Sequence, residues 1–321
     1  MPGASAVAVL ASVVLTASGG ATELFRLQDP GLLESSGMAA SARHDGVVWT
    51  HPDGGQVAEV MAVDRQGETV ATVRLRGVDP YDPEALAAGT GPTGGPTLYL
   101  GDIGDNRQRR PDVSVYRFPE PRRLADRTVP VDWFRFAYPD GAHDAEALMV
   151  DPSAEYVWIA TKDVFGGGLY RAPLTDRPRG TTRLERVASV PSLVTDGAFL
   201  PDGRLVLRSY TTAYLFDEPD ELAATSVLPE QPQGESLAVA GDRLLVGSEG
   251  EQSAVYAVPV PSAAPGANAS PSATPEPSGP TRPVRADADS AVSWPAVGLS
   301  LLAAALAAAA WAGSARARRR R

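Results

Sequence analysis

The chain has 321 residues, 43% of them hydrophobic, with a formal net charge of −10, no cysteine and three histidines. Five of its 29 basic residues are gathered at the C-terminus, so the rest is more acidic than the whole and would repel the phosphates of a nucleic acid. Without cysteine there is no disulfide, no thiol nucleophile and no thiolate metal centre.

The first 21 residues, "MPGASAVAVLASVVLTASGGA", hold no charged side chain and centre on an apolar stretch from Ala6 to Leu15, too short for a stable membrane span. Small residues at Gly19 and Ala21 complete the pattern of a signal peptide over residues 1–21, cleaved before Thr22, although no Lys or Arg follows Met1. The next stretch, "TELFRLQ", reads as a lone strand.

The body that follows repeats itself. "DAEALMVDP" from Asp144 has relatives in "DPEALAAG" from Asp82 and "QGESLAVAG" from Gln233, with weaker copies in "ESSGMAAS" from Glu34 and "TDGAFLPDG" from Thr195. Alignment places Met38, Leu86, Leu148, Phe199 and Leu237 at one position, at intervals of 48, 62, 51 and 38 residues. After a turn rich in Asp, Gly or Pro, each copy continues into a β-type run: "GVVWTH", "PTLYLGD", "YVWIAT", "RLVLRS" and "RLLVGS". Third strands follow in most copies, as in "VSVYRFP" and "SAVYAVPV", and "TVATVRLRG" and "VDWFRFAYP" supply outer strands.

Intervals of this size match one four-stranded blade, so the expected fold is all-β, a β-propeller of five blades over residues 22–259. A sixth, degenerate blade inside the 62-residue interval is the alternative. The last copy lacks a fourth strand of its own, and donation of "TELFRLQ" would supply it and close the ring. Innermost strands lie between neighbouring blades and are apolar on both faces, hence "EALMV" and "ESLAV" rather than strict alternation.

Residues 260–293 are rich in Pro, Ala, Ser and Thr with no hydrophobic period, which predicts a disordered stalk. Trp294 to Ala312 runs 19 residues without a charge and is followed by "GSARARRRR". This predicts a single-pass membrane helix over 294–312 with a basic cytoplasmic tail over 313–321, leaving the propeller outside the cytoplasm.

The start of each first strand and the end of each second strand share one rim of the ring. First strands bring Glu34, Asp82, Glu84, Asp144, Glu146, Gln233 and Glu235 there; second strands bring His51, Asp102, Thr161, Ser209 and Ser248. Such carboxylates, hydroxyls and amides are hard oxygen ligands suited to Ca²⁺ or Mg²⁺. Glu84, Glu146 and Glu235 are the candidate calcium ligands, because like charges at one mouth repel unless a cation or water bridges them. The structural alternative is that each carboxylate accepts backbone N–H bonds from the next blade and recurs because the blade recurs.

The run "GDIGDNRQRR" from Gly101 has no counterpart in the other copies. Asp102, Asp105 and Asn106, with Asp144, are candidate ligand-binding residues, and the arginines after them could hold an anion; turn chemistry alone also accounts for Gly-Asp-Asn. His51 and His143 fall near rim turns and are the candidate general bases. His44 lies at the opposite end of its blade, so a three-histidine zinc centre is not expected, and no Gly-x-Ser-x-Gly elbow is present.

With "LYLGDIGDN" and "DAEALMVDP" beside a signal, stalk and anchor, the chain resembles a group of exported, membrane-anchored actinobacterial β-propeller proteins, which implies a location rather than an activity. More distantly it is similar to calcium-dependent propeller hydrolases of the gluconolactonase and paraoxonase type, usually six-bladed, and to the esterase-like domain related to phytases. Of the residues here, Glu84, Glu146, Glu235, Asp102 and Asn106 have the chemistry that a comparable metal site implies.

The expected function is that of a surface-displayed propeller, tethered to the cell membrane, that binds a small molecule or an envelope protein through its acidic rim. The alternative is a calcium-dependent exported hydrolase of an ester, lactone or phosphoester. In it Glu84, Glu146 and Glu235 hold the ion, Asp102 and Asn106 complete the shell, and His51 or His143 acts as base.

Overall fold

The structure, a computed structural model, describes residues 20–53, 57–175, 177 and 180–262. Most of the expected signal peptide, most of the stalk, the membrane helix at 294–312 and the tail at 313–321 lie outside the described residues. Among the described residues no helix is long and apolar enough to cross a membrane.

β1 (Thr22–Arg26) precedes the first blade, which is built from β2 (Ser35–Ala40), β3 (Val48–Pro52), β4 (Glu59–Val63) and β5 (Thr69–Leu75). Blade 2 follows with β6 (Pro83–Thr90), β7 (Pro96–Asp102) and β8 (Val113–Pro119), then β9 (Arg127–Val129) and β10 (Asp132–Ala137). Blade 3 holds β11 (Ala145–Val150), β12 (Tyr156–Thr161) and β13 (Gly168–Pro173), then β14 (Thr181–Arg183) and β15 (Glu185–Ser189). Blade 4 is β16 (Val194–Phe199), β17 (Leu205–Ser209), β18 (Thr212–Glu218) and β19 (Glu221–Val227), and blade 5 is β20 (Leu237–Ala240), β21 (Arg243–Val246) and β22 (Ala254–Pro259).

The innermost strands β2, β6, β11, β16 and β20 each touch the next, and β20 returns to β2, so the ring closes at five. β1 completes it: this strand pairs antiparallel with β22, Thr22 opposite Ala257 and Arg26 opposite Ala254, and caps the edge that blade 5 would otherwise expose. Two short strands strap neighbouring blades. β9 leaves blade 2 to run parallel to β5 of blade 1, and β14 leaves blade 3 to run parallel to β10 of blade 2. The first strap lies inside the 62-residue interval, which holds a longer excursion and not a sixth blade.

Five apolar clusters fill the five seams between blades. Alternate residues of one inner strand serve different seams: Leu86 packs toward blade 1 with Trp49, whereas Ala85 and Ala87 pack toward blade 3 with Leu148. This is the physical reason inner strands are apolar on both faces. Along the axis, Met38, Leu86, Leu148, Phe199 and Leu237 help line a channel of about 80 Å³ whose lining side chains are all apolar.

Blade 4 is offset from the expected alignment. Leu86 pairs with Leu100, Leu148 with Ile159 and Leu237 with Val246, but the equivalent partner of Leu207 is Gly197, two residues before Phe199. A Cβ at Gly197 would lie 2.8 Å from Met149 Sδ and 2.6 Å from Leu207 Cδ2, so the position has no room for the leucine that other blades place there.

Candidate functional site

Every inner strand begins with a β-bulge against its second strand, which leaves one extra residue unpaired there. The shift falls between Pro83 and Ala85, between Ala145 and Ala147, between Val194 and Asp196, and between Ser35 and Met38; the Gln233–Glu249 bridge and the Glu235–Gly247 bond mark the same place in blade 5. The bulged residues are therefore Ser36, Glu84, Glu146, Thr195 and Glu235. The residues that continue each second strand past this point are Asp53, Ile103, Lys162, Tyr210 and Glu249. Apart from Ile103, which is buried in the apolar seam of blades 2 and 3, these positions form the inner mouth: five carboxylates and one ammonium.

The two hydroxyl bulges staple blades together. Ser36 Oγ donates to Glu84 O at 2.7 Å, and Thr195 Oγ1 donates to Gly234 O at 3.0 Å. The glutamates are engaged differently. Glu146 Oε1 forms an ion pair with Lys162 Nζ, and Glu235 Oε1 accepts from Gln233 Nε2 at 2.9 Å. Backbone N–H groups are instead taken by aspartates. Asp196 accepts from Gly197 N at 2.8 Å and from Leu237 N, across the seam, at 2.6 Å.

Carboxylate oxygens of Asp53, Asp82 and Glu84 lie within 4.8 Å of one another. Calcium–oxygen distances of about 2.3–2.6 Å place opposed ligands roughly 5 Å apart, so this hard-oxygen set fits Ca²⁺. Ionised and without a cation, each pair would repel by roughly 3 kcal/mol at an effective dielectric near 20. Gly104 backs the cluster: a Cβ there would meet Asp82 Oδ2 and Glu84 Cγ, each at 2.7 Å.

The electrostatics of the mouth follow from its crowding. Burial, then the charges of Asp53, Glu146 and Asp82, holds the Glu84 carboxyl well above the usual carboxylate range. Burial also raises Glu146, with Lys162 opposing and Glu235 adding to the rise. Glu249 is pushed up to about 8 by burial and by Asp53, Glu146 and Glu34.

The "GDIGDN" run supports this cluster from behind. Asp102 accepts from Tyr81 N at 3.1 Å, Asp82 N at 3.0 Å and Tyr116 Oη at 3.0 Å, and pairs with Arg110 at 2.8 Å. Asp105 Oδ2 accepts the N–H groups of Arg109 and Arg110 at 2.6 Å, and its own N–H donates to Asp144 Oδ1 at 2.7 Å, tying blade 2 to blade 3. Asp102, Asp105 and Asp144 thus hold the backbone of the rim, and Asn106 lies on the exposed side of the turn. Arg110 also stacks over Tyr81 at 4.9 Å, which commits its guanidinium to the loop itself.

Neither expected base is a member of the Asp53, Asp82 and Glu84 set. His51 is 1% exposed, its Nε2 has no hydrogen-bond partner among the described residues, and burial lowers its pKa to about 4, so it is neutral and weakly basic. His143 Nε2 lies 3.0 Å from Asp140 Oδ1 and 3.2 Å from Tyr170 Oη, with its ring edge-on to Tyr138.

The repeat places Glu84, Glu146 and Glu235 at one mouth, where their charges act on one another in the fold. Asp53, Lys162 and Glu249 carry no repeat signal beyond their place immediately after "VVWTHP", "YVWIAT" and "LLVGS". Asp196 and the fully buried Arg208 are visible in the sequence only as charges inside otherwise apolar runs.

No protein-family profile and no curated protein matches the sequence. Among solved structures, a gluconolactonase from Xanthomonas campestris is 14% identical with a TM-score of 0.45, over 75% of this chain and 89% of that one. A luciferin-regenerating enzyme is 15% identical with a TM-score of 0.44, over 72% and 80%. Regucalcin from Agrobacterium tumefaciens, a calcium-binding protein, is 14% identical with a TM-score of 0.42, over 78% and 98%. At these identities the likeness reaches no further than the strand architecture already described.

Proposed function

We propose that the chain is a membrane-tethered, surface-displayed propeller whose acidic mouth binds a divalent cation, calcium by its ligand chemistry, and presents it to a small molecule or envelope partner. The observation that carries this reading is the Asp53, Asp82 and Glu84 cluster, three carboxylates within 4.8 Å of one another beside further acids of the same mouth. Glu84 is the ligand common to this set and to the one expected from the repeat, whereas Glu146 faces Lys162. The test is equilibrium dialysis of the full-length chain against Ca²⁺ and Mg²⁺. Saturable Ca²⁺ binding that Glu84→Gln abolishes supports the reading; no binding up to millimolar Ca²⁺ rejects it. Tethering is tested separately: protease added to intact cells with the outer wall stripped should release the propeller by cutting between residues 261 and 290.

A hydrolase acting on an ester, lactone or phosphoester is the second reading, favoured by one observation, the hydrogen bond that orients His143 on Asp140 next to Asp144 at the rim. Calcium-dependent hydrolysis of simple ester and lactone probes, lost in His143→Gln but with cation binding intact, would support it. Cation binding without turnover leaves the binding role alone.

A further inference from the structure

Lys162 is the only lysine in 321 residues, and it stands in the inner mouth. Its side chain is 17% exposed, and an ammonium so withdrawn from water is costly to bury unless an anion replaces the lost hydration. Glu146 supplies that anion, and the Tyr210 ring lies 5.1 Å from Nζ on the other side. Blade 4 contributes only Thr195 and Tyr210 to the mouth, so no carboxylate draws the ammonium onward around the ring. Burial alone would lower the lysine's pKa, but Glu146 and Glu235 outweigh it and raise it, which keeps the amine charged and unfit as a nucleophile.

The mouth is therefore divided. On the side of blades 3 and 4 a covalently attached cation already sits against Glu146. On the side of blades 1 and 2, Asp53, Asp82 and Glu84 bring carboxylate oxygens within 4.8 Å of one another. We propose that the mouth has two cation places and that Lys162 is the resident occupant of the one between Glu146 and Glu235, limiting the protein to a single divalent ion at Asp53, Asp82 and Glu84. This inference rests on the reading of the mouth as a cation site and adds what sets the number and position of the ions. The fixed ammonium repels a second ion and weakens the first, since its field reaches Glu84 as well.

The experiment counts Ca²⁺ ions bound by the full-length chain in equilibrium dialysis. Wild type binds one. Lys162→Met, which keeps the aliphatic stem and removes the charge, binds two; Lys162→Arg binds one; Lys162→Met combined with Glu146→Gln returns to one. A folded Lys162→Met chain that binds one ion with wild-type affinity overturns the inference. So does a Lys162→Met chain that stays unfolded at saturating Ca²⁺, because the ion is then unable to stand in for the ammonium. If wild type binds none while Lys162→Met binds one, the site at Asp53, Asp82 and Glu84 fails and the role of Lys162 stands. If neither binds any, both fail.

Discussion

Asp102 holds Asp82 by its backbone: the Asp82 N–H donates to Asp102 Oδ1 at 3.0 Å, and the Tyr81 N–H donates to Oδ2 at 3.1 Å. A carboxylate of the Asp53, Asp82 and Glu84 cluster is thus positioned by one that does not belong to it. Replacing Asp102 by Asn removes the charge that Arg110 faces and turns an amide toward donors, and both changes strain the loop. Asp102→Asn is expected to destabilise the protein by about 2–4 kcal/mol and to weaken Ca²⁺ binding roughly tenfold, about 1.4 kcal/mol. Calorimetry checks both. Unchanged affinity in a destabilised protein would confine Asp102 to supporting its blade.

Arg208 fastens the opposite side of the ring. Its guanidinium is fully buried and donates to Ser236 O at 2.9 Å and Gly247 O at 3.1 Å, on either side of the Glu235 bulge, and to Ser209 O at 3.1 Å. Burial lowers its pKa to about 10, so it stays charged at neutral pH. Arg208→Leu leaves those carbonyls without their donor and removes a positive charge that acts on the buried Asp196, and is expected to cost about 3–5 kcal/mol in denaturant unfolding. A loss below about 1 kcal/mol, the range of an exposed ion pair, would mean the seam reorganises around the change.

The mouth makes cation-free stability depend on pH. Glu249 has its carboxyl pKa raised from 4.5 to about 8 in the folded protein. A raised acid favours the folded state below its unfolded value, and that contribution is lost as pH climbs through the folded value. In chelator the melting temperature should therefore fall between pH 4.5 and 8, and Glu249→Gln should flatten the slope. Saturating Ca²⁺ should flatten it too, by favouring the ionised mouth. A slope that Glu249→Gln leaves unchanged would place the titration elsewhere.

Ring closure depends on seven N-terminal residues. β1 pairs along β22, and Leu27 continues the contact, donating its N–H to Ser253 O at 3.0 Å and packing with Val255 in the seam of blades 5 and 1. Deleting Thr22 to Gln28 exposes the edge of blade 5 and removes Leu27 from the core. The melt should drop by many degrees, with aggregation as the exposed edge finds partners. An unchanged melt would make β1 dispensable.

Much of this architecture is legible in the sequence because a blade repeats its hydrophobic pattern. Five copies, the spare strand "TELFRLQ" and a last blade without a fourth strand lead to the closed ring that β1 and β22 form. The straps β9 and β14 are not legible, since three residues carry no period. Blade 4 misleads because Gly197 has no side chain to align, and the apolar Phe199 two residues later takes its place in the pattern. At the mouth, "EAL" and "ESL" announce Glu84, Glu146 and Glu235, but their partners depend on where each second strand stops pairing, one residue beyond a bulge that the sequence does not mark. Asp53, Lys162 and Glu249 emerge only once the register is known.

The central claim is that a divalent cation sits among Asp53, Asp82 and Glu84 at the mouth. Crystals soaked in a terbium salt, a Ca²⁺ mimic with strong anomalous scattering, test it most directly. One anomalous peak is expected within about 2.6 Å of oxygens from all three carboxylates, absent in crystals of Glu84→Gln. No peak at the mouth, or a peak against Glu146 and Glu235 with Lys162 displaced, would contradict it.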